Sequence, residues 1–436
     1  MAKGWTVFLS TPIFAVMGRA GGMIIPFFIA YCYGVSKETD AFFFSYAFVF
    51  FAGALFQQVL ESVLVPYFAE QRLLGRGRDF AMAIHVAGNM WPWVLGVSLL
   101  LSWLMYQSLE TWSGLQGAAV PLAAALFLEM IPFLILSVWA SAFNGLFNTR
   151  KIFWYPAVSP LIRSAVVVLI LFLFHNRLGI HALSLGFTIG EGIRCALSVL
   201  LLRSHGGLGA ESTVFDFAWR GSALWRKIGL PVAAMAGVQM TTLLNQWFAT
   251  WLGSGDVTLF SYADRLFMIP SQIFIAGMSQ IFLASWSEAS MLNKPVDFKA
   301  RVSRDTAVVF GAALAVSLLL WAFREPFVRL AYGYGDFDES RIPVVADTFG
   351  WLILGFAPGV LNGLYLRLLF VFKKPLFFFY QSWIKLIALG LLNYALGAVL
   401  GIEGIAAATS LTTLAGAVWI LFYIEKRMPD WTRVKA

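Results

Sequence analysis

Long apolar stretches recur along the whole chain, and they limit its fold more than any other feature. About a dozen runs reach 18–20 residues or more, the length that an α-helix needs to cross the hydrocarbon core of a bilayer. They predict twelve transmembrane helices, several of them long enough to tilt. The approximate spans are 6–34, 41–67, 81–106, 118–145, 156–175, 182–202, 229–252, 258–288, 306–330, 347–371, 376–399 and 404–424.

A soluble protein with many buried helices is the alternative to exclude. Of the 436 residues, 60% are hydrophobic and only 12% are charged, whereas soluble domains carry about one quarter charged residues. The first apolar run is too long for the core of a signal peptide and continues into a second span. We therefore expect an all-α polytopic membrane protein without a cleaved signal.

Lysines and arginines between the spans indicate the orientation. With the N-terminus inside, twenty of them fall in cytoplasmic segments and five on the opposite side, which are Lys37, Arg177, Arg324, Arg329 and Arg341. Cytoplasmic loops carry the excess of positive charge, so both termini are expected in the cytoplasm. The net charge of +8 reflects this bias and attraction to anionic membrane lipids. No loop is long enough for a nucleic-acid-binding domain.

Short sequences recur at a spacing near half of the chain length. Phe44–Ala47 (FSYA) returns as Phe260–Ala263, 216 positions later, and Asp79-Phe80 returns as Asp297-Phe298, 218 positions later. Six spans in each half give both halves the same orientation, so we expect a pseudo-twofold axis along the membrane normal. The predicted units are an N-terminal six-helix bundle (1–205), a cytoplasmic linker (206–227) and a C-terminal six-helix bundle (228–436).

Cysteines and histidines suggest neither a disulfide nor a metal site. Cys32 and Cys195 fall within or beside spans, and the four histidines lack the spacing of metal ligands. No cofactor is predicted.

Charged residues at membrane depth are the candidates for function, because they are costly there and normally face the protein interior. Glu191 and Arg194 are three apart on one helix and are expected to neutralise each other. Asp264 and Arg265 are adjacent and point about 100° apart on a helix, so at least one is expected to contact another group. Arg19 has no acidic residue within seven positions.

These arginines predict a water-accessible cavity for an anion. A guanidinium group binds phosphate oxygens in a bidentate manner and keeps its charge when partly desolvated. Two other cations, Arg367 and Lys385, lie near predicted cytoplasmic ends and are expected to extend toward the interface. Asn245 and Asn393 are weak candidates for an ion site, against the commoner hydrogen bond between helices.

Two motifs at their expected places resemble the MviN/MurJ family. These are Thr39–Phe43 (TDAFF), after the first span, and Tyr262–Leu266 (YADRL), in the eighth. The family comprises lipid II flippases of the multidrug/oligosaccharidyl-lipid/polysaccharide exporter superfamily. Further matching features follow in the same order, namely Val65-Pro66, Asn148-Thr149, Asn245–Gly255 and Lys374-Pro375.

The resemblance implies a flippase for polyprenyl-pyrophosphate-linked sugars rather than an enzyme. Arg19 and Arg265 match cavity arginines of the family, and Asp40 matches the aspartate of its TDAFF motif. Two other family arginines align with about Ile25 and Gly53, and the family usually has fourteen helices.

Arg163 and Arg194 are candidates to supply the missing charge. The substrate alternatives are lipid II and a lipid-linked repeat unit of an exopolysaccharide, capsule or O-antigen. Coupling to Na⁺ or H⁺ stays open.

Two other functions remain as alternatives. A drug/cation antiporter of the same superfamily is expected to carry a cavity carboxylate early in the first helix, where this chain has Arg19. A membrane-embedded polysaccharide polymerase or ligase would need a sizeable outer loop with catalytic groups, and the longest one here, about 331–346, contains no histidine.

Overall fold

The computed structural model describes residues 18, 21–73, 95–96, 98–107, 109, 111, 113–204, 221–291, 295–371 and 375–427. All of the regular secondary structure in these ranges is helical. In the first half they are α1 (Gly21–Tyr33), α2 (Lys37–Leu73), α3 (Ala119–Glu129), α4 (Ile131–Thr149), α5 (Trp154–Leu178) and α6 (His181–Ser204). Residues 98–107 are also helical.

The described residues of the second half form eight helices and one short turn of 3₁₀ helix. They are α7 (Gly221–Ala249), α8 (Asp256–Met291), α9 (Pro295–Ala322), α10 (Arg324–Tyr332), the 3₁₀ turn Glu339–Arg341, α11 (Ile342–Leu354), α12 (Phe356–Val371), α13 (Pro375–Leu400) and α14 (Ile402–Arg427). Among the described residues, eight helical segments are long and apolar enough to cross a membrane. The expected all-α membrane architecture is confirmed.

Two predicted boundaries differ from the structure. The ninth span was predicted to continue to residue 330, but α9 ends at Ala322 and the short α10 begins at Arg324. Arg324, the first residue of α10, binds Asp347 at 2.9 Å. Charged residues are costly within the bilayer, so this ion pair explains why the span ends before Arg324. Helix α7 begins at Gly221, within the predicted linker. The third span and the linker otherwise lie mostly outside the described residues.

The fourth span of each half is interrupted in a similar way. Met130 separates α3 from α4, and Gly355 separates α11 from α12. Pro132 is at the start of α4 and Pro358 is in the first turn of α12, where the missing N–H of proline is tolerated. These paired interruptions agree with the repeat that the sequence predicts.

Helix α2 connects the two halves. It packs against α3 and α4 in its own half and against α7 and α8 in the other. Phe43 stacks edge-on against Tyr262 with ring centroids 5.5 Å apart, and both side chains are buried. The repeated FSYA segments therefore lie in helices that meet between the bundles.

A glycine after α1 allows the halves to approach closely. Gly34 has a φ of 54°, a left-handed conformation that glycine adopts without steric cost. A Cβ atom at this position would lie 2.3 Å from the carbonyl oxygen of Asp336. The Gly34 carbonyl in turn accepts a hydrogen bond of 2.8 Å from the Tyr262 hydroxyl.

We expect Gly34→Ala to lower the midpoint of thermal unfolding more than Gly117→Ala does. Gly117 has a similar φ of 62°, but a Cβ there would meet no atom within 4 Å. Backbone strain costs about 1–3 kcal/mol at either site, and only Gly34→Ala adds a clash between the halves. Tryptophan fluorescence of the purified protein during heating measures both midpoints. Equal losses would contradict the close contact.

Candidate functional site

Arginines from both halves line one small cavity between the bundles. Arg163 comes from α5 and Arg265 from α8, and the cavity that they share has a volume of about 30 Å³. A space of this size holds only a few water molecules. The remaining wall is mainly apolar and is formed by Gly22, Ile25, Pro26, Ile29, Phe42, Phe43, Tyr46 and Phe187.

Arg265 contacts the opposite bundle through an aromatic ring. Its guanidinium carbon lies 5.4 Å from the centroid of the Tyr46 ring, which is within the range of a cation–π interaction. An Nη1 atom of Arg265 also lies 3.6 Å from the sulfur of Met268. Both contacts are weak relative to an ion pair. No carboxylate of the described residues pairs with this guanidinium, so it keeps hydrogen-bonding capacity within that part of the chain.

Arg163 is brought to the cavity by close packing of α5 on α6. A Cβ at Gly190 would lie 2.9 Å from the carbonyl oxygen of Arg163, and small residues permit such approach between membrane helices. The Arg163 guanidinium lies over Phe133 at 5.7 Å and binds Glu191 at 3.4 Å.

Glu191 lies between two arginines. The predicted pair with Arg194 is present at 2.8 Å, and the two side chains are 0% and 9% exposed. Arg163 is 21% exposed, so it is the cavity-facing member of this group of three. Two cations share one carboxylate, which leaves one positive charge beside the cavity. Arg194 does not line the cavity.

The two aspartates predicted for the site lie elsewhere. Asp264 is partly buried and absent from the cavity wall that its neighbour Arg265 lines, as the rotation between adjacent helical residues requires. Asp40 is 2% exposed and lies at the predicted outer end of α2. It accepts hydrogen bonds from the Thr258 N–H at 2.8 Å and the Thr258 hydroxyl at 2.6 Å, and from the Gly255 N–H.

Asp40 thus caps a helix of the other bundle. The first N–H groups of an α-helix have no partner within the helix, and a carboxylate there satisfies them and interacts favourably with the helix dipole. A further backbone hydrogen bond of 3.0 Å joins the Asp336 N–H to the Tyr31 carbonyl nearby. Together these contacts close the predicted outer end of the interface between bundles.

Arg19, the first-half arginine that the sequence favoured, lies outside the described residues. Its neighbours Gly18 and Gly21 are described, and added Cβ atoms there would meet α5 at Ala157 and Leu161. Helix α5 is also the helix that carries Arg163.

The two asparagines considered for an ion site form part of a hydrogen-bond chain between helices. Asn393 donates to the Asn245 side-chain oxygen at 2.9 Å, and Asn245 donates to the Thr409 hydroxyl at 2.9 Å. The chain joins α7, α13 and α14. Among the described His, Cys, Asp and Glu residues, no group is arranged to hold a metal ion.

The expectation for Lys385 is wrong. Instead of extending toward the interface, its ammonium donates a 2.9 Å hydrogen bond to the Thr413 hydroxyl inside the second bundle. The side chain of Arg367 lies outside the described residues. Sequence reasoning also missed the aromatic groups beneath the cavity arginines, although the repeated FSYA segment marks Tyr46.

Comparisons with known proteins agree with this architecture. The family described as "Lipid II flippase MurJ" matches residues 29–435. The lipid II flippase MurJ of Burkholderia cenocepacia is 25% identical over 363 residues, which cover 78% of this chain and 69% of the relative. The probable lipid II flippase MurJ of Thermotoga maritima is 26% identical over 405 residues, covering 92% and 81%.

Solved structures show the same fold. A lipid II flippase MurJ in an inward closed conformation superposes with a TM-score of 0.79 at 18% identity, covering 98% of this chain and 88% of that one. An inward-facing multidrug resistance MATE transporter of the MOP superfamily gives 0.75 at 14% identity, with 99% of both chains covered. The fold is thus common to flippases and drug exporters and does not separate them.

The family match distinguishes flippases from drug exporters for this chain, because it extends over nearly the whole chain. The two curated relatives are named flippases rather than enzymes or drug exporters. The chain belongs to the MurJ family of polytopic proteins of the bacterial inner membrane.

Proposed function

We propose that this chain moves a polyprenyl-pyrophosphate-linked saccharide from the cytoplasmic to the outer leaflet, with lipid II, the precursor of peptidoglycan, as its cargo. The observation that carries the proposal is the shared cavity of Arg163 and Arg265. A guanidinium group binds two phosphate oxygens through two parallel hydrogen bonds. A pyrophosphate has enough oxygens to bind two arginines at once. Family membership supports the choice of lipid II.

The composition of the cavity supports an anionic cargo over a drug cation. Among the described residues its wall contains two arginines and no carboxylate, and one of these arginines lies on each bundle. Ile25 occupies this wall at a position where the resemblance places an arginine. Arg163, on another helix, supplies positive charge to the same space. Arg19 remains a proposed third cation, and Arg194 acts through Glu191.

Alternating access is the proposed mechanism. The cavity of about 30 Å³ is too small for a pyrophosphate headgroup, so loading requires the bundles to separate on the cytoplasmic side. The polyprenyl tail stays in lipid while the headgroup moves between the bundles. Separation at the outer end then requires the Asp40 cap on α8 to open. Cytoplasmic termini are part of the same proposal, supported by the distribution of lysines and arginines.

The membrane potential assists this direction of transport. A negative charge that moves outward through an inside-negative potential gains about 2.3 kcal/mol per 100 mV, so a cargo with two charges gains about twice as much. This contribution requires no coupled Na⁺ or H⁺. The amide chain of Asn245 and Asn393 stays a secondary proposal for an ion site.

We expect Arg163→Ala and Arg265→Ala each to reduce transport of lipid II in proteoliposomes by roughly 10- to 100-fold, because a hydrogen bond to a charged group contributes about 1.5–3 kcal/mol. Arg265→Lys is expected to recover part of the activity, since it keeps the charge but not the bidentate geometry. Arg304→Gln is the control, because that side chain is 77% exposed and lies 3.8 Å from its partner.

Normal transport by Arg265→Ala would contradict the proposed clamp. The same proteoliposomes loaded with a polyprenyl-pyrophosphate polysaccharide repeat unit test the alternative cargo. Faster transport of the repeat unit than of lipid II would assign the chain to polysaccharide export.

Asp40→Ala is expected to shift the protein toward opening at the outer side. The measurement uses Val257→Cys, a buried position in the first turn of α8, in a Cys32→Ser and Cys195→Ser background. Each hydrogen bond to the charged Asp40 carboxylate contributes about 1.5–3 kcal/mol. Because the variant loses these bonds, we expect a membrane-impermeant maleimide added outside intact cells to label the cysteine at least tenfold faster. Glu38→Ala removes an exposed carboxylate two residues earlier and should leave the rate unchanged.

Unchanged labelling after Asp40→Ala would show that the cap does not hold the outer end closed. Faster labelling from the cytoplasmic side alone would reverse the proposed orientation.

A further inference from the structure

A second, larger cavity lies inside the C-terminal bundle. It has a volume of about 380 Å³, within the range of about 300–1,000 Å³ that is usual for ligand sites. Helices α7, α8, α12 and α13 form its wall, which is mainly apolar and includes Met235, Val238, Phe274, Leu364 and Phe378. It shares none of its described wall residues with the cavity of Arg163 and Arg265.

Lys385 places a positive charge at this cavity. The residue lies about 14 Å along α13 from Leu376, at 1.5 Å per residue, and therefore well inside the predicted span that begins there. Within the part of the chain that the structure describes, its ammonium group makes one hydrogen bond, to the Thr413 hydroxyl at 2.9 Å. Among the described residues, no carboxylate lies within 4 Å of it.

Asn362 adds a second donor to the same wall. Its side-chain oxygen accepts a 2.9 Å hydrogen bond from Gln381, and the Gln381 amide also donates to the Gly416 carbonyl at 2.8 Å. This arrangement occupies the Asn362 oxygen, and the NH₂ group donates no hydrogen bond to another of the described residues. Lys385 and Asn362 therefore present N–H donors beside an apolar space.

A purely structural role leaves the charge of Lys385 unexplained. One hydrogen bond to a hydroxyl can be made by a neutral donor, whereas an ammonium within the hydrocarbon region is costly without a counter-charge. Donors without a neighbouring carboxylate are suited to an oxyanion. The apolar part of the wall, which includes Met235, Val238 and Phe274, is suited to an aliphatic chain.

We propose that this cavity binds the oxyanion head of an aliphatic amphiphile, with the head at Lys385 and Asn362 and the chain along the apolar wall. A prenyl phosphate, a phospholipid and a fatty acid share this chemistry. The site is separate from the arginine cavity. On α8, Phe274 lies nine residues beyond Arg265, which corresponds to about 14 Å along the helix.

Isothermal titration of the full-length protein in dodecyl maltoside tests this site. The probes are octyl phosphate, dihexanoyl phosphatidylglycerol, octanoate and the neutral octan-1-ol. At least one anionic probe is expected to bind tenfold or more tightly than octan-1-ol, and the one that binds best identifies the head as a phosphate monoester, a phosphodiester or a carboxylate. Equal affinity for octan-1-ol, or absence of binding, would overturn the proposal.

Variants connect the binding to the ammonium group. Lys385→Met is expected to weaken the best anionic probe at least tenfold, and Lys385→Arg to retain it. Thr413→Val removes the hydrogen-bond partner but keeps the charge, so binding should persist. Equal loss in Lys385→Met and Thr413→Val, with equally lowered thermal midpoints, would assign Lys385 a structural role and overturn the proposal.

Arg265→Ala separates this site from the cargo site. It should reduce transport of lipid II by roughly 10- to 100-fold and leave the affinity for the anionic probe unchanged. Loss of probe binding in Arg265→Ala would mean that the probe occupies the arginine cavity instead, which also overturns the proposal. If no anionic probe binds but Arg265→Ala still reduces transport of lipid II as expected, the proposal for this second cavity fails and the proposed flippase function stands.

Discussion

The cost of placing a charge within the bilayer is the constraint on which this architecture depends. An arginine at mid-membrane costs at least about 2.5–3.5 kcal/mol when lipid surrounds it, so each one needs protein or water around it. Glu191 meets this need for Arg163 and Arg194 within one bundle. Arg265 finds its surroundings only at the junction of both bundles, over Tyr46. The two halves are therefore interdependent electrostatically as well as sterically.

Helix α2 carries most of this interdependence. At one end Asp40 caps α8, and a turn and a half further along Tyr46 supports the guanidinium of Arg265. The same helix thus closes the predicted outer end and forms the cavity wall. A movement that separates α2 from α8 would release both contacts. Opening of the outer end would therefore also remove the Tyr46 ring from the guanidinium of Arg265.

Several features were predictable because they depend on local sequence. Apolar runs of 18–20 residues predicted most helices within a few positions, and a spacing of three predicted the pair of Glu191 and Arg194. The partner of Asp40 was not predictable, since Thr258 lies 218 positions away and only packing brings it near. Lys385 was placed wrongly because its position along the helix was considered without the direction of its side chain.

The sequence by itself determined the membrane class, most of the spans and the repeat, because each follows from composition and spacing along the chain. The tertiary structure alone decided which charges meet. It placed Arg163 rather than Arg194 on the cavity wall, moved Asp40 to a helix cap and enclosed Lys385 in a second cavity. A side chain on a membrane helix faces lipid, a neighbouring helix or a cavity according to rotation and packing, and those are set by contacts between residues far apart in the chain.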